Sequence, residues 1–472
     1  MCKVSQVLKA LVFPGFMCIW FGAAWADYTS IGGTLLEDMV LESNETYLVS
    51  SKLLVPQDKT LTVKPGAIVK LNTAITIKGR LVVQGDEDRP AILTVASDNS
   101  IGEPVSRNAS HQSIFIESNS TSELSNAEVR SLTIDTGSSE VTLSNLYFKR
   151  ATTSREGGIS GGLTPNISVD SVSFSSDFRN AGYYVTTKVV TGNESMPDLG
   201  IPYIVKNGIE IAGAGSLSID ANVEIKMSGR LMVHGLLKVN GEVGRQVAFA
   251  GPSDHRYISI EPDINGLFEG VYFGPNSHSS SIKHAVFAIT NMTGRVFEFD
   301  GTSVLIENSL VDALSRSNAP SSALFRVVNE ASPVINCTAI RTTSTGTFYA
   351  IDNKNELQEV DALEVYWGHP FGPTLPGGET RGGIVSDKVN VEPYRGSMTD
   401  SCSIDPPSYF LLDVDGDGEI NPIVDGVLIS RYMSGLRGAD LVEGLNIPGS
   451  AARRDALEIE SYLDWMVARS PR

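Results

Sequence analysis

The sequence predicts an all-β solenoid of stacked short strands, closed at its C-terminal end by a small helical module. Three observations carry this. From Tyr47 to about Asn390, apolar stretches of three to six residues alternate with Gly, Asn, Asp, Ser or Pro. Amphipathic helix patterns are nearly absent from that span, and residues 60–85 recur at 216–241. Composition agrees: 44 glycines, 7% aromatics and abundant Val, Ile, Ser, Thr and Asn favour strands and tight turns.

Residues 1–26 read as a secretory signal. Lys3 and Lys9 precede a mostly apolar run from Ala10, and Ala24-Trp25-Ala26 is a small-x-small cleavage site. Pro14 and Gly22 interrupt the run, which is short for a membrane anchor, and no later segment reads as transmembrane. Cleavage would leave 35 basic against 55 acidic residues, a net charge of −20. That balance repels phosphate backbones and argues against nucleic acid as a partner. The expected location is secreted or at the cell surface. Cys337 and Cys402 are then the remaining cysteines, in a compartment where they can pair; the sequence leaves open whether they do.

The strand pattern divides the chain. Short apolar units such as Leu61-Thr-Val63, Ile68-Val-Lys-Leu71, Ile75-Thr-Ile77 and Leu81-Val-Val83 open a first β-helical segment, 27–205. A second, 206–396, begins with the repeat at an offset of 156, which pairs Leu61/Leu217, Val69/Ile225, Lys70/Lys226, Leu81/Leu237 and Gly85/Gly241. Apolar positions match while polar ones drift, as expected when alternate side chains face a core. Residues 176–205, richer in polar and turn-forming residues, mark the seam. One coil cannot bury its own inner face, so coils must stack.

The run Gly66-Ala-Ile-Val-Lys-Leu71 followed by Gly79-Arg-Leu-Val-Val-Gln-Gly85 resembles the opening rungs of secreted bacterial right-handed parallel β-helix proteins. Tyr366-Trp-Gly-His-Pro-Phe-Gly-Pro-Thr374, with Gly383-Ile-Val-Ser386 and Val391-Glu-Pro-Tyr394, resembles their last rungs. These phrases imply architecture and no chemistry. A β-sandwich or jelly roll is the alternative.

After a linker at 397–408, residues 409–472 change character. In Asp413-Val-Asp-Gly-Asp-Gly-Glu-Ile-Asn421, acids at alternate positions suit the hard oxygen cage of a calcium ion. The expected ligands are Asp413, Asp415, Asp417, the carbonyl of Glu419 and Asn421, with Gly418 at the sharp turn and Ile420 inward. The twelfth position is Val424, so the closing acid is expected to be Asp425, one residue late. One helix is expected over about 424–435, with Val424, Val427, Leu428, Tyr432 and Met433 on one face. A second should start near Asp455, where Glu458 completes a capping box, and bury Ala456, Ile459, Leu463 and Met466, with Leu457, Tyr462 and Trp465 widening the stripe.

Loop and helices together resemble the dockerin module, an EF-hand-type unit of secreted bacterial proteins. The resemblance rests on Asp413, Asp415, Asp417, Gly418, Ile420 and Asn421. It implies docking onto a cohesin partner or tethering of a carbohydrate-handling neighbour in polysaccharide breakdown. The second acidic loop is missing between Ala439 and Arg454, so one calcium site is expected. Pro422 and Ile423 replace the hydroxyls often used for cohesin contact.

Catalytic candidates are Asp254 and Arg256 in a turn, and Lys283 and His284 on a rung. A lyase on this scaffold would use an Arg or Lys base beside acids, and a hydrolase paired carboxylates. Adjacent residues such as Lys283 and His284 face opposite ways along a strand. Metal-hydrolase, nucleotide-loop and serine-elbow motifs are absent from the sequence. Three functions fit: a non-catalytic calcium-binding β-helix that binds polysaccharide, a polysaccharide lyase or glycoside hydrolase, or a surface adhesin.

Overall fold

The computed structural model describes residues 28–469, apart from 108, 110, 118–119, 152–156, 176–180, 252–267, 291–294, 315–322, 343–347, 370, 380, 397–401, 403–411, 417–419, 449–450 and 452. The described residues up to Asn390 form short strands whose ladders are parallel. Within a stack, each interior strand pairs with one in the coil before it and one in the coil after it. Leu61 sits opposite Leu81, and Leu217 opposite Leu237, so a coil here takes 20 residues. The chain therefore climbs as a three-faced parallel solenoid around one apolar core that runs from Ile31 to Val391.

Strand and corner chemistry follow from the pattern. Inward residues such as Leu61, Val63, Leu217 and Ile219 are almost fully buried, each contributing roughly 1.5–3 kcal/mol. Corners require left-handed backbone, and small or polar residues supply it: Asn126, Asn145 and Ser171 have φ of 49°, 48° and 55° at one corner. The Asn145 amide donates to the Asn126 side-chain oxygen at 2.5 Å, tying successive coils. In the second half the core holds a run of packed phenylalanines. Phe249 stacks on Phe287 at 4.6 Å, Phe287 meets Phe297 edge-on at 4.8 Å, and Phe297 stacks on Phe325 at 4.9 Å.

The repeat seen in the sequence is a repeat of strands. Thr60–Val63, Ile68–Leu71 and Arg80–Gln84 correspond at the same offset to Ser216–Ile219, Glu224–Met227 and Leu236–Asn240. The turn after it recurs as well, with Arg89 bonded to Asp86 and Arg245 to Glu242. Equivalent strands do not lie on equivalent faces. Glu224–Met227 joins the stack that descends from Ile75–Ile77, while its counterpart Ile68–Leu71 lies in a different stack. The second copy is thus advanced by one face. Between Phe174 and Val189 two stacks end and two new sheets begin, while the third sheet runs through.

Three helices with fully described ranges follow: α1 (Asp425–Met433), α2 (Ala439–Val442) and α3 (Ala456–Arg469). Val414, Val424, Leu428, Tyr432, Leu441, Ile459, Tyr462 and Leu463 form a second, separate core. The capping box forms: Asp455 Oδ1 accepts the Glu458 N–H at 2.9 Å, and Glu458 Oε2 accepts the Arg454 N–H at 2.9 Å. Two expected core residues are exposed instead, Met433 at 72% and Leu457 at 74%. Met433 ends α1 beyond the reach of the other helices, and Leu457 falls on the outer side of the first turn of α3.

The through-running sheet is covered on its outer side near the C-terminal end. Val286, Leu310, Ala339 and Tyr366 stack in register as an outward apolar column and are buried with Cys402. The Cys337–Cys402 disulfide, with Cα atoms 5.4 Å apart, pins the chain to this column just before the helical module. It closes a loop of 65 residues, worth about 4 kcal/mol by chain entropy.

Candidate metal centre

The acidic loop enters the module core through Val414 and places acids on either side of it. Asp413, Asp415 and Asp425 are buried at 0%, 1% and 1% exposure. One carboxylate oxygen from each lies within 4.8 Å of the others. Oxygens bound to one calcium at about 2.3–2.6 Å lie within roughly 5 Å of each other, so the cluster has the size of such a cage. The donor set, three carboxylates, fits a hard divalent cation. Asp417 and Glu419 lie outside the described residues, as does Gly418. Gly416, at φ 74°, takes a left-handed turn within the loop.

Asp425, the late acid, does face the aspartates at the start of the loop. Its Oδ1 accepts the N–H groups of Val414 at 2.6 Å and Asp415 at 3.2 Å, and its Oδ2 accepts that of Asn421 at 2.7 Å. The Asn421 side chain turns elsewhere, accepting the Ile423 N–H at 2.9 Å. Burial pushes the Asp425 carboxyl above its ordinary value and the charge of Asp413 adds to this, against the three N–H donors. A bound cation would remove that penalty.

Two guanidinium groups flank the cluster, and the sequence reading did not anticipate either. Arg341, from the solenoid strand Ala339–Thr342, bonds Asp312 Oδ1 through Nε at 3.0 Å and Asp413 Oδ2 through Nη1. Arg453 donates to the carbonyls of Val414 and Asp413, both at 2.6 Å, and its own N–H bonds the Asp415 carbonyl at 2.8 Å. Its guanidinium lies 4.0 Å from the Tyr462 ring centroid. Burial pushes the Tyr462 hydroxyl up to about 12. Between Ala439 and Arg454, where the sequence lacks a second acidic loop, the chain supplies α2 and this arginine. The only hint in the sequence was the doublet Arg453-Arg454 just ahead of a helix.

Of the catalytic candidates, Lys283 and His284 are among the described residues. Lys283 is half-exposed and pairs with Glu307 at 3.2 Å. His284 is a corner residue at φ 45°, in a column with Asn308, Cys337 and Glu364 at 50°, 45° and 55°. That column turns the chain between sheets in successive coils, so His284 serves geometry. Asp254 and Arg256 lie outside the described residues. In sequence, Ser253-Asp254 falls at the repeat offset from Ser97-Asp98. Asp98 is a structural acid: its Oδ2 accepts from Thr94 at 2.8 Å and meets Arg130 at 3.3 Å, and its carbonyl accepts from the buried Lys70 at 2.7 Å.

A polar face missed in the sequence lies on the sheet containing Phe268–Phe273, Arg295–Asp300 and Ala323–Val328. Tyr272, Glu298, Arg326 and Asp352 form a register column. Glu298 is bonded by Arg230 at 3.1 Å and Arg295 at 2.5 Å, and Tyr272 donates to Asp300 at 2.7 Å. Burial, followed by the Asp300 contact, pushes the Tyr272 hydroxyl up to about 12.

No family model, curated protein or solved structure matches this chain. Among the described residues no helix is long and apolar enough to cross a membrane.

Proposed function

We propose that this is a secreted or cell-surface right-handed parallel β-helix whose C-terminal module is a single-site, calcium-dependent cap, and whose solenoid binds polysaccharide without cleaving it. The observation that carries the reading is the buried trio Asp413, Asp415 and Asp425, in a loop whose aspartates have calcium-ligand spacing. The right hand follows from the general preference of parallel crossovers. Asp417 and the Glu419 carbonyl would complete the cage, with Asn421, whose Oδ1 accepts from Ile423, reaching the ion through water. The bound ion would balance the combined charge of the buried carboxylates. The chain's own residues do the rest: Asp425 closes the loop, and Arg453 holds its carbonyls.

The dockerin likeness is retained for the loop and helices only. Ile423 is 75% exposed, so an apolar group stands where a docking hydroxyl is usual. Covering the last coils is the use supported by the burial of the Tyr366 column, and a cohesin-like partner is the lesser role. Calorimetry with calcium chloride tests the cap: one ion per chain is expected, and none for Asp415→Ala. Unchanged stoichiometry in that variant would reject the site.

A second reading, a polysaccharide lyase or glycoside hydrolase, is favoured by the Tyr272, Glu298, Asp300 and Arg230 cluster, where acids sit beside arginine. Incubation with acidic and neutral polysaccharides decides between the two. Retention without new chain ends supports the binding scaffold, whereas cleavage lost in Glu298→Gln establishes the enzyme.

A further inference from the structure

Asp413 belongs to the acidic loop, but the side chain that fixes its carboxylate belongs to the solenoid. We propose that Arg341 is a positioning residue of the cation site, so that the ion, the loop and the last coils form one cooperative unit. The inference rests on the cation reading above and adds that the site is shared between both parts of the chain.

Asp312 and Arg341 are register partners on adjacent strands of the through-running sheet, and both point outward. Outward residues of a solenoid normally meet water, yet Asp312, Arg341 and Asp413 are 0%, 2% and 0% exposed. The planar guanidinium takes one carboxylate on each side, Asp312 from the coil before and Asp413 from a loop 72 residues further on. A fork of this kind fixes direction as well as distance. Arg453 holds the Asp413 carbonyl from the module side at 2.6 Å. Asp413 is thus clamped at its carboxylate by the solenoid and at its backbone by the module. Fixing a ligand before the ion arrives removes ordering cost from binding. Coupling runs both ways: whatever docking does for the ion, the ion does for docking.

The path back into the solenoid is short. The strand carrying Arg341 bonds the last coil through the Ile340 N–H to the Tyr366 carbonyl, at 2.8 Å, and the Tyr366 N–H bonds the Thr338 carbonyl, at 3.0 Å. Ion binding should therefore slow amide exchange at 338–342 and 366–367 as well as in the loop itself.

The test uses the full chain with calcium chloride or chelator, read by calorimetry and amide exchange. Arg341→Gln alone strands two buried carboxylates and risks unfolding the junction. The informative variant is Arg341→Gln with Asp312→Asn, which leaves the net charge near the ion unchanged and removes only the clamp. It should still bind one ion, about tenfold more weakly, and lose the calcium-dependent protection at 338–342 and 366–367. Arg341→Lys, which keeps charge without the fork, is the second variant, with a loss of about fivefold expected. Wild-type affinity and protection in either variant would overturn the role of Arg341 while leaving the cation site standing. A wild-type chain that binds no calcium would instead remove the site, and this inference with it.

Discussion

Asp425→Ala separates the two tasks of that residue. As a proposed cation ligand it matters only when the ion is present, but as an acceptor for the N–H groups of Val414, Asp415 and Asn421 it holds the loop with or without the ion. Hydrogen bonds to a charged group are worth about 1.5–3 kcal/mol each, and three would sum to roughly 4–9. The buried charge opposes this: the raised carboxyl pKa shows that burial and the neighbouring Asp413 tax the ionised form. Allowing for that tax and for water reaching part of the loop, the net loss should be about 3 kcal/mol. The assay is amide exchange of α1 in chelator, where that loss appears as roughly 150-fold faster opening. Addition of calcium should not restore it. Exchange within threefold of wild type in chelator would refute the claim that Asp425 anchors the empty loop.

Two further outcomes test the body of the molecule and its junction. Phe297→Ala removes a fully buried ring stacked at 4.9 Å on Phe325 and edge-on at 4.8 Å to Phe287. It should cost about 5 kcal/mol in urea unfolding, and a loss under about 2 would show that the aromatic stack is loosely packed. His369, 3.4 Å from Glu458 across the junction, has its pKa lowered by burial, only partly offset by Glu458 and deepened by Arg381. A lowered value means the unfolded chain takes the proton more readily. The stability at stake is therefore complete above the ordinary imidazole value of 6.5 and falls as pH drops below it. Protection at the start of α3, taken relative to intrinsic exchange at each pH, should fall between pH values of about 7.5 and 5.5, and His369→Gln should abolish that slope. An unchanged slope would assign the acid sensitivity to another group.

The sequence disclosed what repeats locally and concealed what meets across distance. Period-two patterns at Leu61, Val63, Leu217 and Ile219 locate inward positions because a strand alternates its faces whatever surrounds it. The capping box at Asp455 and Glu458 was legible for the same reason, since all its partners lie within one turn. Arg341 was invisible because its partner is 72 residues away and because an arginine in a strand ordinarily faces solvent. A faint signal existed: Ala285-Val-Phe-Ala-Ile-Thr290 is apolar without alternation, which marks a strand covered on both sides. Met433 and Leu457 failed in the opposite sense. Helical spacing assigned them to a face, but helix ends extend past the neighbours that would cover them.

The one-face advance between the two copies of the repeat limits what the solenoid can offer a long ligand. Residues at the same repeat position, such as the outward Thr62 and Ser218, lie in different stacks and so face different bearings around the axis. A straight polymer lying along one bearing would pass columns of unrelated composition before and after the seam, and a ligand that sought the same column twice would have to wind. Doubling the repeat has therefore lengthened the rod without doubling any one surface, leaving each half free to acquire its own.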